Sequence, residues 1–207
     1  MDRACLEYGV RAGIIFCLAR EFPLELNEIL VKKAAKYKAR GVVGIDLAGP
    51  EMHTLELGAH VDGYADLFAR ARAAGMGTTV HTGETRHTAV PGVLAVLSKL
   101  APARIGHGVA AASSDEAVRK LAESGVVLEI CPSSNLRTHA VSGLGELGRA
   151  LAKFEEAGVR YTINTDGPYL LNTHLRLEYQ MLLDAQILTE AQAERSVAVA
   201  RSATFIR

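Results

Sequence analysis

Six short apolar runs, each followed by a stretch with helical spacing, constrain this chain more than any other feature. The runs cover residues 10–18, 42–47, 78–81, 104–106, 126–130 and 159–164. They are aliphatic and β-branched without strict alternation, the pattern of strands covered on both faces. Between them, residues 23–40, 61–74, 89–100, 117–123 and 144–157 read as helices. In the first of these, Leu26, Ile29, Leu30, Ala34 and Tyr37 share one face. Pro23 and Pro91 stand in first turns, and Gly41, Gly75, Gly125 and Gly158 stand at the ends. Two more helices, about 173–185 and 189–203, close the chain. Strands alternating with helices in this way predict a parallel α/β fold. No low-complexity linker divides residues 1–207, so one domain is expected. No strand leads into a GxGxxG turn, so a dinucleotide fold has no specific support.

Composition narrows the partners. The 23 basic and 23 acidic residues give a formal net charge of zero. Nothing in that balance asks for nucleic acid or an anionic membrane. No apolar run approaches the roughly 18 residues of a membrane span, and no leader segment is evident. Cys5, Cys17 and Cys131 are odd in number and widely spaced, which points to reduced thiols and a cytoplasmic protein.

The polar residues gather where the apolar runs stop. Asp46 closes the second run, His81 the third with Glu84 just behind it, and His107 the fourth. Ser133, Ser134 and Asn135 follow the fifth in an expected exit loop, and Asp166 follows the sixth. Taken singly, Asp46, His107 and Asp166 each also fit an ordinary turn. Taken together they look like a site, because the C-terminal ends of strands in a closed parallel barrel converge on one mouth. Histidine and aspartate suit zinc, and Glu84 and His107 can move protons, so metal-assisted hydrolysis is the chemistry these residue types favour.

In order along the chain, VGIDLAGPE, HTGE, RIGHG, LEICPSSN and NTDGP resemble the motifs of the adenosine/AMP deaminase family of zinc-dependent (β/α)8 barrels. The resemblance runs from Val10 to the last helix. It implies a TIM-type barrel that is incomplete here, with about six β/α units matching the family's third to eighth strands. It implies that His81 and Asp166 bind Zn2+ and that Glu84 passes a proton to purine N1. His107 would orient or deprotonate the attacking water, and Gly49 would offer its backbone N–H to purine N3. The implied reaction is hydrolytic deamination of a purine nucleoside, such as adenosine, to inosine and ammonia.

The sequence departs from the family pattern in two places. The family's His-x-His pair, which supplies two further zinc ligands, is absent. His81 and Asp166 alone fall short of the three protein ligands of a usual catalytic zinc site, and His87 has no motif support as a substitute. The second aspartate of the family's NTDDP motif, expected to bond purine N7, is Gly167. Loss of that bond, or a turn that wants glycine before Pro168, are both open readings. Arg86 and Arg137 are candidates for holding a substrate phosphate. A barrel short of two strands leaves open edges, so self-association or a partner chain completing the barrel is expected. Impaired activity in this chain is one expectation; a non-catalytic, deaminase-like fragment that binds a nucleoside or a partner chain is the other.

Overall fold

The computed structural model describes residues 2–50, 57–85 and 89–206, with side chains described in 5–50, 61–85 and 89–206. Six strands form one parallel sheet in sequential order: β1 (Ile14–Ala19), β2 (Val42–Ala48), β3 (Gly77–Thr82), β4 (Arg104–His107), β5 (Val127–Ile130) and β6 (Arg160–Ile163). The crossovers carry α2 (Leu24–Lys36), α3 (Leu57–Ala73), α4 (Ala89–Lys99), α5 (Asp115–Ser124) and α7 (Leu144–Ala157). Before β1 stands α1 (Asp2–Tyr8). The short α6 (Pro132–Arg137) precedes α7, and α8 (Pro168–Leu171), α9 (Leu175–Asp184) and α10 (Glu190–Ala203) follow β6. The sheet is a partial barrel, as the β/α rhythm predicts.

The ends of several elements differ from the sequence reading. The first strand starts at Ile14 and not at Val10, and α3 starts at Leu57, ahead of the expected residue 61. The first long helix stops at Lys36 and tightens into a 3-10 turn, Lys38–Arg40. The expected exit loop after β5 is helical: Pro132 occupies its first turn, where a missing N–H costs nothing. The buried Glu178 carboxylate accepts from the Ser133 N–H at 2.9 Å and from the Thr173 hydroxyl at 2.5 Å. It thereby satisfies one free donor of that helix start.

The main core lies between the outer face of the sheet and the helices. Val31, Ala34, Leu67, Phe68, Val93, Val96, Leu121, Leu147, Leu151 and Phe154 are buried there. Each large side chain contributes about 1.5–3 kcal/mol of transfer free energy. The inner face is polar. Arg104 Nε lies 2.8 Å from Glu129, which also accepts from the Thr79 hydroxyl at 2.9 Å. The Arg104 guanidinium sits 3.6 Å from the Phe205 ring centroid and donates to the Ala203 carbonyl at 2.9 Å. A Cβ on Gly77 would fall 2.2 Å from the Phe205 ring, and one on Gly44 2.9 Å from it. The tail after α10 therefore fills the N-terminal side of the sheet, against two glycines that leave room for it.

The sheet does not close, because β1 and β6 each have a single strand neighbour. Every exposed large hydrophobic among the described residues lies in 6–29 or 169–177, the segments flanking these two edges. Leu6, Tyr8, Tyr169 and Leu170 are the most exposed of them. No described helix is long and apolar enough to cross a membrane.

Candidate active site

Curvature of the sheet brings the strand ends together. Neighbouring strands lie about 4.8 Å apart, so β3 and β6 would be some 14 Å apart in a flat sheet. Yet one donor atom from each of His81, His107 and Asp166 falls within 4.8 Å of the others. The His81 and His107 rings approach edge to face, with centroids 5.4 Å apart.

His81 stands near the end of β3, paired in register with Gly106 of β4. A Cβ on Gly106 would lie 2.9 Å from the His81 ring, so the glycine of RIGHG makes the space in which the imidazole sits. Nδ1 of His81 meets both carboxylate oxygens of Asp46, at 3.1 and 2.9 Å. Burial alone would push this imidazole down. The Asp46 carboxylate, with Glu129 and Glu84 adding, more than offsets that and raises it to about 8.

His107 is buried and has φ +62°, and Asp166 has φ +57°. Both chains of atoms leave their strands through the left-handed region, a conformation uncommon outside glycine and concentrated at functional sites. The Asn135 side chain accepts from the Cys131 N–H at 3.3 Å through its oxygen, which turns its amide nitrogen to His107 Nδ1 at 3.1 Å. With Nδ1 accepting, the proton of neutral His107 rests on Nε2, 3.5 Å from Glu84. Asp166 is exposed, and the Ser134 hydroxyl donates to it at 2.8 Å. Burial pushes the nearby Cys131 thiol up, with Asp166 and Glu129 adding to the effect, so no thiolate nucleophile is offered here.

Gly49 has φ +105°, and a Cβ there would lie 2.2 Å from the Glu21 carboxylate. The angle calls for glycine, whereas the contact is with the tip of an exposed side chain that can move aside. Gly167 is different. Its φ is −96°, open to any residue, and among the described residues an added Cβ would meet Leu170 alone, at an ordinary 3.6 Å. The turn therefore does not explain this glycine. Arg137 is exposed and donates to the Leu171 carbonyl at 3.3 Å. Arg86 and His87 lie outside the described residues.

The structure thus gathers His81, Glu84, His107 and Asp166 at one mouth, with Gly49 at the neighbouring strand end. Sequence reading did not assign Asp46, Ser134 and Asn135 as partners of His81, Asp166 and His107. Asp46 was visible as a strand-end acid. Nothing in a separation of 35 residues pairs it with His81. As chemistry, the arrangement offers an imidazole and a carboxylate for a cation, beside a carboxyl–imidazole pair able to exchange protons.

Comparison with known proteins places this arrangement in a group. An adenine deaminase of Rhizobium leguminosarum bv. trifolii is 35% identical over 211 residues, covering 99% of this chain and 61% of that protein. The chain thus spans about three-fifths of the length of the curated relatives it matches. The apo structure of the N6-methyl-AMP deaminase from Arabidopsis thaliana superposes with a TM-score of 0.78 at 25% identity, covering 96% of this chain and 55% of that one. An amidohydrolase from Burkholderia ambifaria, solved with bound Zn, shares the fold with a TM-score of 0.82 at 21% identity over 100% of this chain and 56% of that one. The family profile described as adenosine deaminase matches residues 1–207, and the chain belongs to that family.

Proposed function

We propose that this chain carries the C-terminal half-site of a zinc-dependent hydrolytic deaminase acting on a 6-aminopurine. The reading is carried by the approach of His81, His107 and Asp166 within 4.8 Å, with Glu84 beside His107. Zinc fits the donors. Asp46 engages Nδ1 of His81 and leaves Nε2 for a metal, the carboxylate–histidine arrangement common at zinc sites. Ser134 orients Asp166. His81 and Asp166 would hold the ion, with further ligands supplied by the segment that completes the mouth. Bound zinc supplies a water of lowered pKa.

The chain's own groups then handle the protons. Glu84 donates to N1 of the purine, which makes C6 electrophilic. His107 orients the attacking water through its Nε2–H, and Glu84, having given its proton to N1, takes the proton released as the water oxygen bonds to C6. Glu84 passes that proton to the amino nitrogen as the C6–N bond breaks, ammonia leaves, the C6 hydroxyl proton returns to Glu84, and a 6-oxopurine remains. The Gly49 backbone N–H holds N3. Adenine, for which the curated relatives are named, and adenosine, which yields inosine, are the two substrates to separate. We place the protein in the cytoplasm on the strength of the free thiols of Cys5, Cys17 and Cys131.

A partner segment completes the mouth. Two further parallel strands, one beside β1 and one beside β6, cover the exposed apolar residues that flank both edges. Until they are supplied, zinc binding is weak and turnover low. The second reading, a non-catalytic fragment that binds a nucleoside or a partner chain, draws on the same open edges.

Elemental analysis of the purified 207-residue chain, with adenine and adenosine conversion followed by UV absorbance, tests the proposal. Substoichiometric zinc and slow but measurable conversion, lost in Glu84→Gln, is the expected result. One tight equivalent of zinc with full turnover overturns the need for a partner segment. No zinc, and no conversion even at saturating zinc with an upstream family segment supplied, leaves the non-catalytic fragment.

A further inference from the structure

The β2–β3 ladder is the shortest in the sheet. It joins Gly44 to Gly77 and Ile45 to Thr78 and then stops. The β1–β2 ladder continues to Ala48, and the β3–β4 ladder continues to His107. The last residues of β2 and β3 therefore part without ladder bonds between them; Asp46 and His81 lie there, with Gly49 just past β2.

Arg20 fills that gap. It follows β1, is 8% exposed, and is fixed by its own N–H to the Ala48 carbonyl at 2.9 Å. Its guanidinium reaches across β2. Nη1 donates to the Gly49 carbonyl at 3.2 Å and to the Leu47 carbonyl at 3.5 Å, and Nη2 donates to the His81 carbonyl. One planar cation thus ties three carbonyls on two strand ends that the ladder leaves unjoined. A lysine has neither the fork nor the spread of donors to bond both strands at once.

We infer that Arg20 is a positioning residue, whose guanidinium sets the spacing of the β2 and β3 ends and so places His81 against Asp46 and fixes the backbone bend at Gly49. Its consequence for purine binding rests on the proposed deaminase reading; its consequence for the strand ends does not.

Carbonyl 13C shifts and the dissociation constant for unsubstituted purine, compared in wild type, Arg20→Lys and Arg20→Ala, test it. In both variants the carbonyl shifts of Leu47, Gly49 and His81 move while those of β5 and β6 stay in place. Purine affinity falls about tenfold or more, the scale of a lost charged hydrogen bond. Millimolar guanidinium restores both in Arg20→Ala, which a general loss of packing does not allow. Unchanged shifts at those three carbonyls in Arg20→Lys overturn the inference, as does a folded Arg20→Ala protein that guanidinium does not restore. If Arg20→Ala does not fold, Arg20→Lys decides. If wild type binds no purine even with the completing segment supplied, the deaminase reading fails and the carbonyl shifts alone judge Arg20.

Discussion

Asp46 turns both carboxylate oxygens toward Nδ1 of His81, at 3.1 and 2.9 Å. The pair keeps a proton on Nδ1, so Nε2 is the nitrogen that gives up its proton to a metal, or to solvent as pH rises past about 8. Replacing Asp46 by alanine is expected to lower zinc affinity about 10–100-fold, as loss of such a ligand's partner typically does. Competition with a chromophoric chelator measures it. Unchanged affinity removes Asp46 from the site.

Gly167 leaves space that the backbone does not need. Gly167→Asp is expected to keep the melting temperature and to raise kcat/KM for the deaminated purine, by about 10–100-fold if a full buried hydrogen bond is regained. Steady-state kinetics on the barrel-completed protein and a thermal melt decide. A folded variant with unaltered kinetics means that purine N7 is not read at this position.

Phe205 and Gly77 form a coupled pair at the opposite end of the sheet. Phe205→Ala is expected to cost about 2–3 kcal/mol, below the roughly 3–5 kcal/mol of a fully buried ring because this one is partly exposed. Gly77→Ala drives a Cβ to 2.2 Å from the ring and is destabilising alone. In the Phe205→Ala background its cost shrinks. Urea denaturation of the two single variants and the double variant gives the coupling, and strict additivity argues that the ring does not occupy this space.

Stability on the acid side draws on Glu155. Burial would raise this carboxyl, but the Tyr161 hydroxyl at 2.6 Å and Arg195 at 2.9 Å hold it below its ordinary 4.5. A depressed folded value adds stability above the unfolded value, which fades as pH falls through the folded one. Glu155→Gln is therefore expected to lose about 1–2 kcal/mol at pH 7 and to narrow its deficit below pH 4.5. Denaturation at several pH values tests this; a deficit that does not change with pH assigns the loss to packing.

The strand ends were legible because the strands read as plain apolar runs, most of them largely buried, with their polar cargo conspicuous at the end. His81, Glu84, His107 and Asp166 stood out in this way. Their partners did not. Asn135 and Ser134 read as loop residues, and only the helix begun by Pro132 and capped by Glu178 turns them toward His107 and Asp166. Arg20 gave no sign at all, since its partners are backbone carbonyls and carbonyls have no sequence. Gly106 read as the end of a short strand, with no sign that its work is to make room for a ring on the neighbouring strand.

The sheet also has a direction. All six strands run parallel and point their C-terminal ends at one mouth. A segment that finishes this mouth has to run the same way. A second copy placed across an edge by a two-fold axis normal to the sheet sets its strands antiparallel, and its own mouth opens at the far end. It hides Leu6 or Tyr169 from water and brings nothing to His81 and Asp166. A copy added head to tail, β6 against the next β1, keeps the direction but leaves a bare edge at each end of the assembly, which invites growth. Shielding the edges and finishing the mouth are thus separate tasks, and identical chains meeting through a two-fold normal to the sheet accomplish only the first.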